Sequence, residues 1–233
     1  MEAILEFKDV NYTYPGASKK TLKDLNAAFE AGRLYVIYGP SGSGKTTALA
    51  LAGALDVPGS GRVLFRGEDI RKGGLQNHRK NHVAFIFQNY NLLPYMTALE
   101  NVTSAMDIAG AGGADSAVRK AHAKELLISL GLEEDEIRRN VLKLSGGQQQ
   151  RVAIARALAC DAEVILADEP TGNLDPETAE EIADVLCRLA HDRGKCVIAV
   201  SHSTELAGIA DVTLVFRKGT LTPAVKAVAA PEE

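Results

Sequence analysis

RLYVIYGPSGSGKTTALALAGAL, Arg33 to Leu55, reads as a strand, a glycine-rich loop and a helix in unbroken succession. RLYVIY is an apolar run of strand type, TALALAGAL is an alanine- and leucine-rich helix former, and GPSGSGKTT, Gly39 to Thr47, joins them. The junction fits the pattern glycine, four residues, glycine, lysine and a hydroxyl residue, in the strand-to-helix setting that a phosphate-binding loop requires. Gly39, Gly42 and Gly44 allow backbone N–H groups to close around phosphates, and Pro40, Ser41 and Ser43 fill the turn between them. The helix that follows points its positive end at the same anion. Lys45 is expected to reach the β and γ phosphates, Thr46 to ligate Mg²⁺, and Thr47 to close the loop.

A second segment supplies carboxylates. EVILADEP, Glu163 to Pro170, is an apolar run ending in two adjacent acids, as a buried parallel strand does at the ligand edge of an open sheet. Asp168 is placed to hold Mg²⁺ through its water shell, and Glu169 to act as general base on the attacking water.

A third segment, LSGGQQQRVAIARAL, Leu144 to Leu158, has the makings of another phosphate-binding element. Ser145 is a good helix N-cap, Gly146 and Gly147 permit close backbone approach, and the helix opening at Gln148 presents its N-terminus to an anion. Val152, Ile154, Ala155, Leu158 and Ala159 lie mostly at helical spacing, which leaves Gln149, Gln150, Arg151 and Arg156 for polar faces. One monomer has no evident use for two such elements.

With these motifs in this order, the chain resembles the ATPase subunits of ABC transporters from about Leu5 to Leu221. The resemblance implies an α/β fold: a P-loop NTPase core with an antiparallel β-subdomain and an inserted α-helical subdomain. It divides residues 1–222 into core plus β-subdomain, about 1–88 and 159–222, and a helical subdomain, about 89–158, with 223–233 a short frayed tail. It casts Tyr14 as the aromatic that stacks on adenine, Tyr12 being the weaker candidate, and Gln88, closing HVAFIFQ, as the glutamine that contacts Mg²⁺ or water and senses the membrane partner. Ser145, Gly146, Gly147 and Gln148 match the signature that binds the γ-phosphate of ATP held by the opposite subunit. TGNLD, Thr171 to Asp175, matches the D-loop, and His202 after KCVIAVS the switch histidine. Ser203 departs from the aspartate usual after that histidine, which puts the detailed geometry of this loop in question.

QNYNLLPYMTALENV, Gln88 to Val102, further resembles the macrolide-export and lipoprotein-release branch of the family (MacB/LolD type), as do SGGQQQRVAIARAL and TGNLD. Locally, Thr97 and Glu100 spell a capping box. Leu92, Leu93, Tyr95 and Met96 are expected to be exposed and to suit a groove for a permease helix. The resemblance implies ATP and Mg²⁺ as cofactors, a homodimer sandwiching ATP, a transmembrane permease as partner, an extracytoplasmic adaptor reached through that permease, and a place at the cytoplasmic face of the membrane. An ATPase driving a membrane subunit in signalling or cell-wall hydrolase control, with nothing transported, stays open as the alternative.

Composition sets limits. With 233 residues and 46% hydrophobic content the chain can bury a sizeable core, and a net charge of −4 offers no basic field for nucleic acid. The cluster Arg71, Lys72, His78, Arg79, Lys80 and His82 is expected to be a solvated face. Cys160, Cys187 and Cys196 lack metal-site spacing. No apolar run approaches the roughly 20 residues needed to cross a bilayer, and MEAILEFKDV opens as a strand, unlike a signal peptide.

Overall fold

The computed structural model describes residues 2–111, 113 and 115–224. Part of the small-residue loop GAGGADS (residues 112 and 114) and most of the expected tail (225–233) lie outside the described residues. Two sheets share the work.

The first is four-stranded and antiparallel, in the order β2-β1-β4-β5, from β1 (Ala3–Tyr12), β2 (Leu22–Glu30), β4 (Ser60–Phe65) and β5 (Glu68–Asp69). The second is six-stranded, in the order β10-β9-β3-β8-β7-β6, from β3 (Arg33–Tyr38), β6 (Val83–Ile86), β7 (Val164–Asp168), β8 (Cys196–Ser201), β9 (Val212–Arg217) and β10 (Thr220–Pro223). All of its pairings are parallel except β10 on β9. β10 runs through Pro223, so ordered backbone extends past the expected start of the tail.

The parallel strands carry continuous apolar runs because both faces are covered. One face packs on β1, β2, β4 and helix α1 (Lys45–Ala52), with Phe29, Tyr35, Leu51, Leu166 and Ile198 among the residues buried there. The other packs on α6 (Gly146–Ala159) and α7 (Pro176–His191). Between β6 and β7 the chain builds α3 (Ala98–Ala109), α4 (Ser116–Ser129), the short α5 (Glu134–Ile137), a 3₁₀ turn at Val141–Lys143, and α6. Thr97 and Glu100 form the expected capping box on α3.

Two expectations are corrected. The basic cluster is not one solvated face: within α2 (Leu75–Asn81) His78 is buried, its Nε2 3.0 Å from the Ala52 carbonyl, and His82 stacks on Phe65. Of the four apolar residues expected on the surface, Leu93 and Tyr95 are exposed, whereas Leu92 and Met96 are half-buried, Leu92 against the core.

Candidate functional site

Parallel strands bring their C-terminal ends to one edge, and the register here fixes which residues meet. Tyr38 lies opposite Ser201, and Asp168 opposite Val200. The next residues along β3, β7 and β8, Gly39, Glu169 and His202, therefore leave the sheet at similar heights.

The loop after β3 is shaped by close contacts. A Cβ on Gly39 would lie 2.7 Å from the Phe216 carbonyl oxygen, and Gly44 takes φ 110°, a conformation that L side chains rarely adopt. Gly44 N-caps α1 without a side-chain cap, so the first N–H groups of α1 have no side chain competing for them. Lys45 is buried, and its Nζ donates to Gly39 O at 2.7 Å and Pro40 O at 3.0 Å. Burial pulls the Lys45 pKa below the usual lysine value, against the pull of the Glu169 and Asp168 carboxylates. The Ser43 hydroxyl is buried without a partner. An uncapped helix start, a half-desolvated ammonium and an orphan hydroxyl together fit a phosphate ligand.

Thr46 Oγ1 donates to Asp168 Oδ1 at 3.0 Å across 122 residues of sequence. Burial raises the Asp168 pKa; the Thr46 hydroxyl and Lys45 oppose this, and the Glu169 charge adds to it. A hydroxyl and a carboxylate side by side, the carboxylate costly to ionise, fit Mg²⁺, which takes few protein oxygens and completes its shell with water and phosphate.

Glu169 has φ 45°, in the left-handed region, directly before Pro170. Its Oε2 lies 3.0 Å from His202 Nδ1 and accepts from Ser201 Oγ at 3.1 Å and His202 N at 3.3 Å. The pair borders a cleft of about 590 Å³ lined also by Thr171, Leu174 and Leu206. Ser203, the departure noted in the sequence, N-caps α8 (Thr204–Ile209): its Oγ accepts from Leu206 N at 3.0 Å. Serine caps as well as aspartate does, so the turn closes without the carboxylate.

Gln88 goes to a different neighbour. Its Nε2 donates to Asn173 Oδ1 at 3.4 Å and its carbonyl accepts from Asn173 Nδ2 at 2.9 Å. Among the described residues no hydrogen bond joins it to Thr46 or Asp168. Tyr14 is half-exposed; its hydroxyl sits 2.7 Å from Thr47 Oγ1, and its ring meets Tyr12 edge-on at 5.0 Å. Tyr12 is buried with its hydroxyl on Asp56, which leaves Tyr14 as the ring that a base can reach.

Ser145 caps α6 and forms a capping box with Gln148, whose Nε2 also donates to Glu136. No hydrogen bond joins Ser145, Gly146, Gly147 or Gln148 to the Gly39–Thr47 loop among the described residues. A Cβ on Gly147 would lie 2.5 Å from Thr178 Cγ2, so only glycine fits here without a shift of that side chain on α7. The expected polar faces of α6 are corrected: Gln150 is fully buried, its Nε2 donating to Pro170 O at 2.6 Å. Arg156 is half-buried, donating to Tyr90 O at 2.9 Å and to Asn91 O, two residues with positive φ beside Gln88. Gln150, Arg156, Asn173 and Ser201 are the partners that sequence reasoning missed. For the first, the available signal was its helical spacing with Ala153, Ile154 and Ala157, three, four and seven residues on.

A loop-held lysine, a hydroxyl–carboxylate pair and a glutamate–histidine pair meet on one parallel-sheet edge, an arrangement that fits a nucleoside triphosphate. The chain belongs to the ABC transporter family, whose description matches residues 22–172. It is 46% identical over 94% of its length to the uncharacterized ABC transporter ATP-binding protein YclH of Bacillus subtilis (strain 168), covering 96% of that protein. It is 42% identical over 89% of its length to the lipoprotein-releasing system ATP-binding protein LolD of Geobacter metallireducens, covering 92% of it. It is also 42% identical to the macrolide export ATP-binding/permease protein MacB 2 of Aeromonas hydrophila, spanning 34% of that longer chain. The dimeric cassette MJ0796 superposes with a TM-score of 0.85 at 37% identity, covering 93% of this chain and 96% of that one. A second MJ0796 structure, in a post-hydrolysis state with ADP and Pi, gives 0.84. The chain is thus an ATP-hydrolysing, ATP-binding subunit that drives a transporter's permease. Among the described residues no helix is long and apolar enough to cross a membrane.

Proposed function

We propose that this chain hydrolyses Mg-ATP in a head-to-tail homodimer at the cytoplasmic face of a membrane, driving a MacB- or LolD-like permease in export or lipoprotein-type mechanotransmission. The observation that carries the reading is the separation of two anion-binding helix starts. The uncapped start of α1 lies with Lys45, Thr46, Asp168, Glu169 and His202, while the Ser145 start of α6 has no hydrogen bond to that group. A second copy supplies the missing half.

In this reading the N–H groups of Gly39 to Thr47 and the Lys45 ammonium bind the phosphates, and Tyr14 carries the adenine. Thr46 and Asp168, with Gln88 reaching in from its loop, hold Mg²⁺, which supplies charge neutralisation on the phosphate oxygens. Glu169 accepts the proton of the attacking water, and His202 orients Glu169 and adds charge stabilisation. The partner's signature segment, from serine to glutamine, closes over the γ-phosphate. The helices between β6 and β7, about 89–158, act as a separate subdomain on the core and β-subdomain of about 1–88 and 159–222. Exposed Leu93 and Tyr95, following Gln88, form the permease contact, and any extracytoplasmic adaptor is reached through the permease.

Mixing two inactive variants tests the arrangement. In a head-to-tail heterodimer of Lys45→Ala and Ser145→Ala chains, one site carries both changes and the other neither. Recovery of ATPase activity on mixing supports the reading, and activity no higher than either variant alone overturns it.

A further inference from the structure

The buried face of α6 is small and apolar except for Gln150. The residue is 0% exposed, its Nε2 is spent on the Pro170 carbonyl, and its Oε1 is buried with no partner. A buried amide left half-satisfied costs stability that a leucine or methionine of similar volume would not, so packing does not explain it. Its one bond does. Pro170 follows Glu169, which holds φ 45° in front of a proline, a position biased toward extended backbone. Backbone restraints on this turn include Glu169 N to Val200 O at 2.9 Å and Gly172 N to Glu169 O at 3.1 Å. Both lie on the sheet side or within the turn, and Gln150 holds it from the helix side.

We infer that Gln150 is a positioning residue for Glu169: by fixing the Pro170 carbonyl it keeps the strained turn in the conformation that aims the carboxylate at His202. Because Gln150 sits on the helix capped by Ser145, a shift of that helix when a second copy engages Ser145 is delivered to Glu169 of the same chain. The inference rests on the reading of Glu169 as general base.

The test compares the purified full chain with Gln150→Met, Gln150→Glu and Glu169→Gln, reading kcat, KM for Mg-ATP, and Tm. Gln150→Met removes the donor and the orphan oxygen together. It is expected to lower kcat on the order of tenfold, leave KM within about twofold, and leave Tm unchanged or raised. Gln150→Glu keeps the shape and, buried, stays protonated and able to donate. Its kcat relative to wild type is expected near unity at about pH 6 and to fall toward about pH 9 as the carboxyl ionises. An unchanged kcat in Gln150→Met, or kcat and Tm falling together there with a pH-independent deficit in Gln150→Glu, overturns the inference. If Gln150→Met does not fold, the pH course of Gln150→Glu decides alone, and a flat ratio counts against it. Activity retained in Glu169→Gln would instead remove the general-base reading beneath it.

Discussion

His202 Nδ1 stands 3.0 Å from Glu169 Oε2, and the same oxygen accepts from Ser201 Oγ and the His202 backbone N–H. Two donors at the end of β8, with the His202 ring beside them, thus surround one oxygen of the carboxylate that follows β7. His202→Ala removes the ring that stands beside this carboxylate in the cleft. It is expected to lower kcat about a hundredfold with little change in KM for Mg-ATP, measured at steady state. A change confined to KM would assign His202 to nucleotide binding instead.

Lys45 is fixed by two carbonyls of its own loop and desolvated there, so its charge is poised for a stronger acceptor. Lys45→Ala is expected to weaken ATP binding about tenfold or more, measured by calorimetric titration, because charge-assisted bonds to phosphate contribute about 2 kcal/mol. Unchanged affinity would reject the role given to this loop.

Arg156 ties α6 to the chain beside Gln88 through the carbonyls of Tyr90 and Asn91, which have φ 59° and 49°. Burial lowers its pKa, against the influence of Cys160. Removing the guanidinium leaves two carbonyls to find water and lets two strained residues relax. Arg156→Met is expected to cost about 2 kcal/mol in urea unfolding and to speed hydrogen exchange at residues 89–92. Exchange unchanged there would leave the segment held by other contacts.

His78 couples pH to stability. Burial lowers its pKa below 6.5, the Ala52 carbonyl opposes this, and His82 adds to it. The native state therefore holds His78 neutral while the unfolded chain takes up a proton as pH falls below 6.5. Stability is fully present above that value and is lost as pH drops toward the native pKa. Between about pH 7 and about pH 5 the Tm of the wild type is expected to fall more steeply than that of His78→Leu. Parallel curves would show that His78 does not titrate differently on folding.

The phosphate loop, the Asp168–Glu169 strand end, the Ser145 cap and the Thr97 capping box were legible in sequence because each is written within a few contiguous residues. The strand order was not written locally, yet parallel pairing of β3, β7 and β8 brought Gly39, Glu169 and His202 to one edge as the motif order implied. What stayed hidden depends on packing between distant segments. Gln150 and Arg156 look like the polar faces of a surface helix until α6 is seen wedged between the sheet, α7 and the Gln88 loop. His78 looks like part of a basic run until Ala52, at the end of α1, is found against it. Gln88 and Asn173 are 85 residues apart, and no periodicity announces their contact.

In the proposed dimer one chain holds half of each ATP site. Glu169→Gln removes the carboxylate proposed as the base while keeping a hydrogen-bonding side chain, so it is expected to bind Mg-ATP without turning it over. Size-exclusion chromatography with light scattering of this variant reads the assembly itself: a monomer without nucleotide that becomes a dimer with Mg-ATP is the result expected, and a monomer under both conditions would contradict the shared site.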